Sequence, residues 1–241
     1  MAFALRDQLD RDQAVPNPPS MSTLLSHAGL SMHTSQEGGH NQPLSPPIEL
    51  ATTYERPPDG NYGENGLIYS RSCNPTRKLL QDAIGQLETA GNVNIDSLQH
   101  CNMPAPSFAF SSGMAVIASL VLAHKSPVKL LIPQDVYHGV PTQLIIALND
   151  HGVQHQAVDM TNCDALEHIV KEEVASRSGG SLMVWMETPS NPLCQVTNIL
   201  DVCEIVGEMR LKAASDDGVR ITAVVDSTWA PPCITQPLLV G

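Results

Sequence analysis

From residue 108 onward, short apolar runs alternate with longer stretches of helical periodicity, and few folds accommodate that alternation. "SSGMAVIASLVLAH" reads as a buried helix and "VKLLI" as a strand; "VPTQLIIALNDHG" and "VQHQAV" repeat the pair. "NCDALEHIVKEEVASR" is an amphipathic helix that turns Ala165, Leu166, Ile169 and Val170 inward. The strand "SLMVWM" follows, then the helix "NILDVCEIVGEMRL" through Ile199, Val202, Cys203 and Val206, then the strand "ITAVV". Apolar strands this short, spaced by helices, predict a mainly parallel α/β sheet covered on both faces.

Upstream the pattern is looser. Residues 1–62 carry eight prolines and little periodicity, which predicts an extended arm. "TRKLLQDAIGQLETAG" places Leu79, Leu80, Ala83, Ile84 and Leu87 on one helical face, with Thr76 as cap and Gly91 as stop. Residues 92–107 read as a loop.

Charge and thiols exclude several classes. A net charge of −12 argues against a nucleic-acid or anionic-membrane surface, because both need clustered Lys and Arg. The six cysteines (Cys73, Cys101, Cys163, Cys194, Cys203 and Cys233) form no CxxC pair and read as buried free thiols in a reducing compartment. His151 and His155 straddle a glycine in "HGVQH", which spoils a helical metal-ligand pair, and there is no HExxH. The opening "MAFALRDQLDRDQ" is too short in its apolar run for a signal peptide and too acidic for a mitochondrial presequence. No stretch approaches the length of a membrane span, so a cytoplasmic protein is expected.

Ligands of open parallel sheets sit beyond the carboxyl ends of the strands. Three such ends are polar or aromatic here: "PQDVYHG", "ETPSNP" and "DSTWAPP". "FSSGMA" opens a helix with Ser111, Ser112 and Gly113, where free N–H groups and the dipole suit a phosphate; an ordinary serine cap is the competing reading. With no GxGxxG and no GxxxxGK[ST], a dinucleotide or P-loop nucleotide lacks its cradle. Tyr137 can stack on a flat ring or serve as a plain packing residue. Glu187 and Asn191 can bond around a polar ring or shape a turn. Asp226 ends an apolar strand, a costly place for a charge unless it is partnered. A pyridinium N–H is one suitable partner, and backbone N–H groups are the other.

"YSRSCNPTR", "FSSGMA", "DVYHG", "METPSNP" and "VVDSTWAPP" occur together in an order that resembles the cystathionine γ-synthase-like family of Cys/Met-metabolism enzymes, which depend on pyridoxal 5'-phosphate (PLP). The resemblance runs from about residue 22 to 241. It implies the large domain of the fold-type I, aspartate aminotransferase-like enzymes over residues 63–241, incomplete at its carboxyl end, behind the 1–62 arm and without the small C-terminal domain.

It also implies roles for individual residues. Ser112, Gly113 and Met114 would hold the cofactor phosphate, and Tyr137 would stack on the ring with a part in catalysis. Glu187 and Asn191 would lie near the ring hydroxyl, while Asp226 would partner the ring nitrogen. Tyr69 and Arg71 would reach a neighbouring subunit's phosphate in a homo-oligomer, a dimer or tetramer; no metal is implied. Cys73 stands where the family usually has glycine, "YHGV" replaces a more glycine-rich turn, and 92–107 resembles an insertion.

The family's Schiff-base lysine lies in a Ser-x-Thr-Lys motif after this aspartate, and none of the five lysines (Lys78, Lys125, Lys129, Lys171, Lys212) matches it. The expectation is an amino-terminal portion of a trans-sulfuration enzyme acting on a sulfur amino acid or an activated homoserine. Cystathionine γ-synthase is favoured over the γ- and β-lyases, and the chain alone is expected to be inactive. A non-catalytic PLP-binding or assembly subunit and an unrelated α/β phosphate-ligand protein are the rivals.

Overall fold

A computed structural model of the chain describes residues 45–56, 58, 60, 67–89, 106–213 and 218–240. They belong to two compact units, Met1–Ser107 and Phe108–Gly241.

In the first unit, Thr53 and Tyr69 form an antiparallel bridge, flanked by Tyr54 N–H donating to Ile68 O (3.1 Å) and Ser70 N–H donating to Thr52 O (2.8 Å). Helix α1 (Pro75–Thr89) follows at once. Its cap is Asn74 rather than the expected Thr76: Asn74 Oδ1 accepts the Arg77 N–H at 3.1 Å. Pro75, at the first helical position with no N–H to satisfy, puts the cap one residue before it. Thr76 Oγ1 instead accepts the Glu49 N–H at 2.8 Å and ties the segment around Glu49 to the helix. Of the expected inward face, Leu87 is buried while Leu80 and Ile84 are exposed, because nothing described within this unit packs on their side. Gly91, most of the 92–107 loop and most of the 1–62 arm lie outside the described residues.

The second unit is a four-stranded parallel sheet in the order β2-β1-β3-β4: β1 (Val128–Pro133), β2 (Val153–Val158), β3 (Ser181–Glu187) and β4 (Arg220–Asp226). Helix α2 (Gly113–Ala123) precedes β1, α3 (Cys163–Ser176) joins β2 to β3, and α4 (Ile199–Ala213) joins β3 to β4. A short α5 (Pro237–Val240) comes last. Parallel strands need such crossovers, and successive side chains on each strand point to opposite faces.

Leu131, Leu182, Val184, Met186 and Ile221 therefore meet Leu166 and Val170 of α3 and Val202, Val206 and Met209 of α4 on one face. Val128, Leu130, Ile132, Met183 and Trp185 meet Ile117 and Val121 of α2 on the other. All seven residues of β3 are buried, as a central strand packed on both faces requires. Edge strand β2 is polar and exposed through Gln154 and His155, which keeps that edge from pairing indiscriminately.

The 140–152 segment is not a regular helix: a π-helical turn (Val140–Ile145), one α turn (Ile146–Leu148) and a 3-10 turn (Asn149–His151) succeed one another. Pro141 stands in its first turn, where a missing N–H leaves no helical bond unmade. Gly152, at φ 76°, closes the segment in the left-handed conformation. The free thiols of Cys194 and Cys233 are exposed rather than buried, and those of Cys73, Cys163 and Cys203 are half-buried. Among the described residues no helix is long and apolar enough to cross a membrane.

Gly180 turns the chain into β3 at φ 80°, and a Cβ there would lie 2.3 Å from Pro127 O, the acceptor of the Ser181 N–H. Gly207 of α4 has nothing within 4 Å of an added Cβ. Urea unfolding of Gly180→Ala should show a loss of about 2 kcal/mol or more. Gly207→Ala should be neutral or stabilising by up to about 1 kcal/mol.

Candidate functional site

The chain leaves β1 for β2 on one side and returns to β3 on the other, so the crossover direction reverses between β1 and β3. A crevice at the carboxyl ends of those two strands follows from that topology. Glu187 ends β3 and is paired in register with Asp226 at the end of β4. By strand alternation both carboxylates follow Met183, Trp185 and Val224 onto the α2 face.

Glu187 is 3% exposed. Its Oε2 accepts the Tyr137 N–H at 2.9 Å, and the carboxylate also accepts the Asn191 N–H. Burial pushes its pKa up, and the charges of Asp226 and Asp135 push the same way, while the two backbone donors pull it down. Asp226 is held differently: its Oδ1 accepts the Thr228 N–H at 3.0 Å and the Thr228 hydroxyl, and its backbone carbonyl accepts the Thr188 N–H at 3.0 Å. Among the described residues no group of three or more His, Cys, Asp or Glu is arranged to hold a metal ion.

Tyr137 is 46% exposed, and its ring leans over Gly139. A Cβ on Gly139 would come within 2.6 Å of Tyr137 Cε1 and 3.2 Å of Met114 Sδ. The missing methyl lets the ring settle there, and the same contacts put Tyr137 beside the first turn of α2. In that turn Ser112 Oγ accepts the Ala115 N–H at 3.2 Å and Ser112 O accepts the Val116 N–H at 3.2 Å. The amides of Gly113 and Met114 are left without an intrahelical acceptor at the positive end of the dipole. An added Cβ on Gly113 would meet nothing within 4 Å, so the space outside that helix end is open.

One unit thus gathers Ser112, Gly113, Met114, Tyr137, Glu187, Asn191 and Asp226 on the loops and helix end at one edge of the sheet. Free amides, a half-exposed aromatic ring and a strand-end carboxylate match the phosphate, flat ring and ring nitrogen of PLP. Tyr69 and Arg71 lie in the other unit, with the Arg71 guanidinium 4.8 Å from the Tyr69 ring centroid. Their turn is gripped by a residue the sequence reading passed over. Arg77 Nη1 donates to Ser70 O (3.0 Å), and Nη2 donates to Arg71 O (3.3 Å) and Ser72 O (3.1 Å). Asp135 was passed over as well, although it stands within "PQDVYHG", two residues before Tyr137.

A parallel sheet covered by helices on both faces is the architecture of the large domain of fold-type I PLP enzymes. The profile of the Cys/Met metabolism PLP-dependent enzymes matches residues 25–241, and the chain belongs to that family. A cystathionine β-lyase of Lactococcus lactis is 32% identical over 222 residues, covering 92% of this chain and 48% of its own. The crystal structure of a cystathionine γ-lyase from Micromonospora echinospora superposes with a TM-score of 0.68 at 28% identity, over 92% of this chain and 49% of that one. A cystathionine γ-synthase from Xanthomonas oryzae, solved with aminoacrylate and cysteine, gives 0.67 at 27% identity over 93% and 48%. The chain spans about half the length of the curated relatives it matches.

The raised pKa of Glu187 makes a pH signature. A carboxyl that holds its proton more tightly folded than unfolded contributes stability below the ordinary glutamate range and loses it as pH rises through the folded value. Stability of the wild type relative to Glu187→Gln should therefore fall as pH is raised from below that range to neutrality. Denaturant midpoints of both proteins across that interval test it; parallel curves would show that Glu187 carries no raised pKa.

Proposed function

We propose that this chain forms the PLP-binding half of a trans-sulfuration enzyme, one that eliminates or replaces a group at Cβ or Cγ of a sulfur amino acid or an activated homoserine. The observation that carries the reading is the convergence of the Gly113 and Met114 amides, the Tyr137 ring and the Asp226 carboxylate at one edge of the sheet. When bound, the cofactor supplies an electron-withdrawing ring that acidifies the substrate's α-carbon.

The chain's own residues bind and orient. The α2 amides and the helix dipole take the phosphate, with Ser112 fixing the helix end. Tyr137 covers one ring face and excludes water from it. Asp226 accepts the ring N–H and keeps that nitrogen protonated, while Thr228 holds the carboxylate in place. Asn191 serves the ring hydroxyl. Tyr69 and Arg71, on the turn Arg77 grips, reach the phosphate of a neighbouring subunit in a homo-oligomer. The similar β-lyase, γ-lyase and synthase all fall within this reaction class, and the synthase is the favoured member.

The lysines argue that the chain does not turn over by itself. Lys78, Lys171 and Lys212 pair on helix surfaces with Asp82, Glu167 and Glu208. Lys129, near the start of β1, pairs with Glu173 of α3 on the face away from α2. Lys125 precedes β1, at the opposite end of the sheet. We infer that the cofactor binds without a covalent lysine link.

Titration of the purified chain with PLP should give saturable binding at one site. Asp226→Ala should weaken it roughly tenfold, the scale of one lost charge-assisted hydrogen bond. Borohydride reduction and peptide mapping should find no stoichiometric lysine adduct, and cystathionine should be neither made nor cleaved above the free-cofactor rate. Failure to bind would overturn the cofactor assignment, and a stoichiometric adduct with turnover would overturn the inactivity.

A further inference from the structure

The loops after β1 and β3 are tied together by carboxylates that cross in both directions. Glu187, on β3, accepts the Tyr137 N–H from the loop after β1. Asp135, on the loop after β1, reaches the other way: its Oδ2 accepts the Ser190 hydroxyl and the Leu193 N–H (2.9 Å) from the loop after β3.

The 188–197 segment is built to be held at those points. Thr188 Oγ1 accepts the Thr197 N–H at 3.0 Å and donates to Thr197 O at 3.3 Å, which closes the base of the loop. Higher up, the Ser190 N–H donates to Gln195 O at 2.9 Å and the Cys194 N–H donates to Ser190 O at 3.0 Å. Ser190 Oγ accepts the Gln195 N–H at 2.9 Å while giving its own proton to Asp135. Ser190 is buried, so its hydroxyl has both roles filled within the protein. Asn191 lies between the two residues that Asp135 grips, and its own N–H goes to Glu187.

Carboxylates placed this close repel one another, as the effect of the Asp135 charge on Glu187 records. What the crossed bonds achieve is a fixed separation between Tyr137 on one loop and Asn191 on the other, across the switch point.

We propose that Asp135 and Glu187 are positioning residues, a reciprocal clamp that sets Tyr137 and Asn191 against each other so that the β1/β3 crevice is shaped for a flat ring before any ligand arrives. The proposal rests on the PLP reading above for the identity of the ring, but the clamp itself does not. Preorganisation of this kind raises affinity by removing the cost of ordering loops on binding.

Two measurements test it. Amide hydrogen exchange of the ligand-free chain should show the Leu193 and Gln195 amides exchanging at least about tenfold faster in Asp135→Ala. In Asp135→Asn the side-chain oxygen can still accept both donors, so exchange should be unchanged. In PLP titrations, Asp135→Ala should weaken binding about tenfold and Asp135→Asn by less than about twofold.

The loss should disappear in an Asn191→Ala background, where the loop after β3 has no ring contact left to be positioned. Equal losses with and without Asn191 would overturn the positioning role and leave only loop stability. Unchanged exchange in Asp135→Ala would overturn the clamp outright. If the wild type binds no PLP while the exchange results hold, the cofactor assignment fails and the clamp stands.

Discussion

The bond from the Tyr137 N–H to the Glu187 carboxylate holds the carboxyl edge of the sheet together. β3 is the strand buried along its whole length, and it ends on an acid that the fold cannot send to solvent. A carboxylate in that position costs several kcal/mol unless hydrogen bonds replace its water. The donors are the backbone amides of Tyr137 and Asn191. The consequence is geometric, because both loops must approach the end of β3.

Much of this architecture is legible in the sequence, for a physical reason. Strands buried on both faces read as unbroken apolar runs, so "VKLLI", "SLMVWM" and "ITAVV" announce themselves and their ends locate the polar loops. What escapes is decided by one backbone group or by a distant neighbour. Thr76 is a good capping residue by type, but Pro75 shifts the helix start and Asn74 takes the role. The π-helical turn at Val140–Ile145 has a side-chain pattern ordinary for an α-helix. Leu80 and Ile84 share an apolar stripe with Leu87, yet periodicity cannot say whether anything packs on their side. Glu187 is visible as a polar residue ending an apolar strand, but its partner Tyr137 lies 50 positions away in the chain. Asp135 and Arg77 are harder still, because their acceptors and donors are mostly main-chain atoms, which sequence pattern does not display.

The distribution of charge along the sheet axis completes the argument. Asp135, Glu187 and Asp226 cluster at the carboxyl edge, and the lysines are spent on helix surfaces or lie toward the other end. An anion alone would be repelled from such an edge. The α2 helix end offsets this locally, since its free amides and dipole form a positive pole within reach of the Tyr137 ring. A ligand suited to this edge must therefore be dipolar, negative where it meets the α2 amides and positive where it meets the strand-end carboxylate. PLP carries a phosphate and a protonated ring nitrogen at separate positions on one flat ring, which are charges of the two signs that such an edge suits. The same asymmetry disfavours a simple phosphate, which satisfies the helix end but leaves the carboxylates unrelieved.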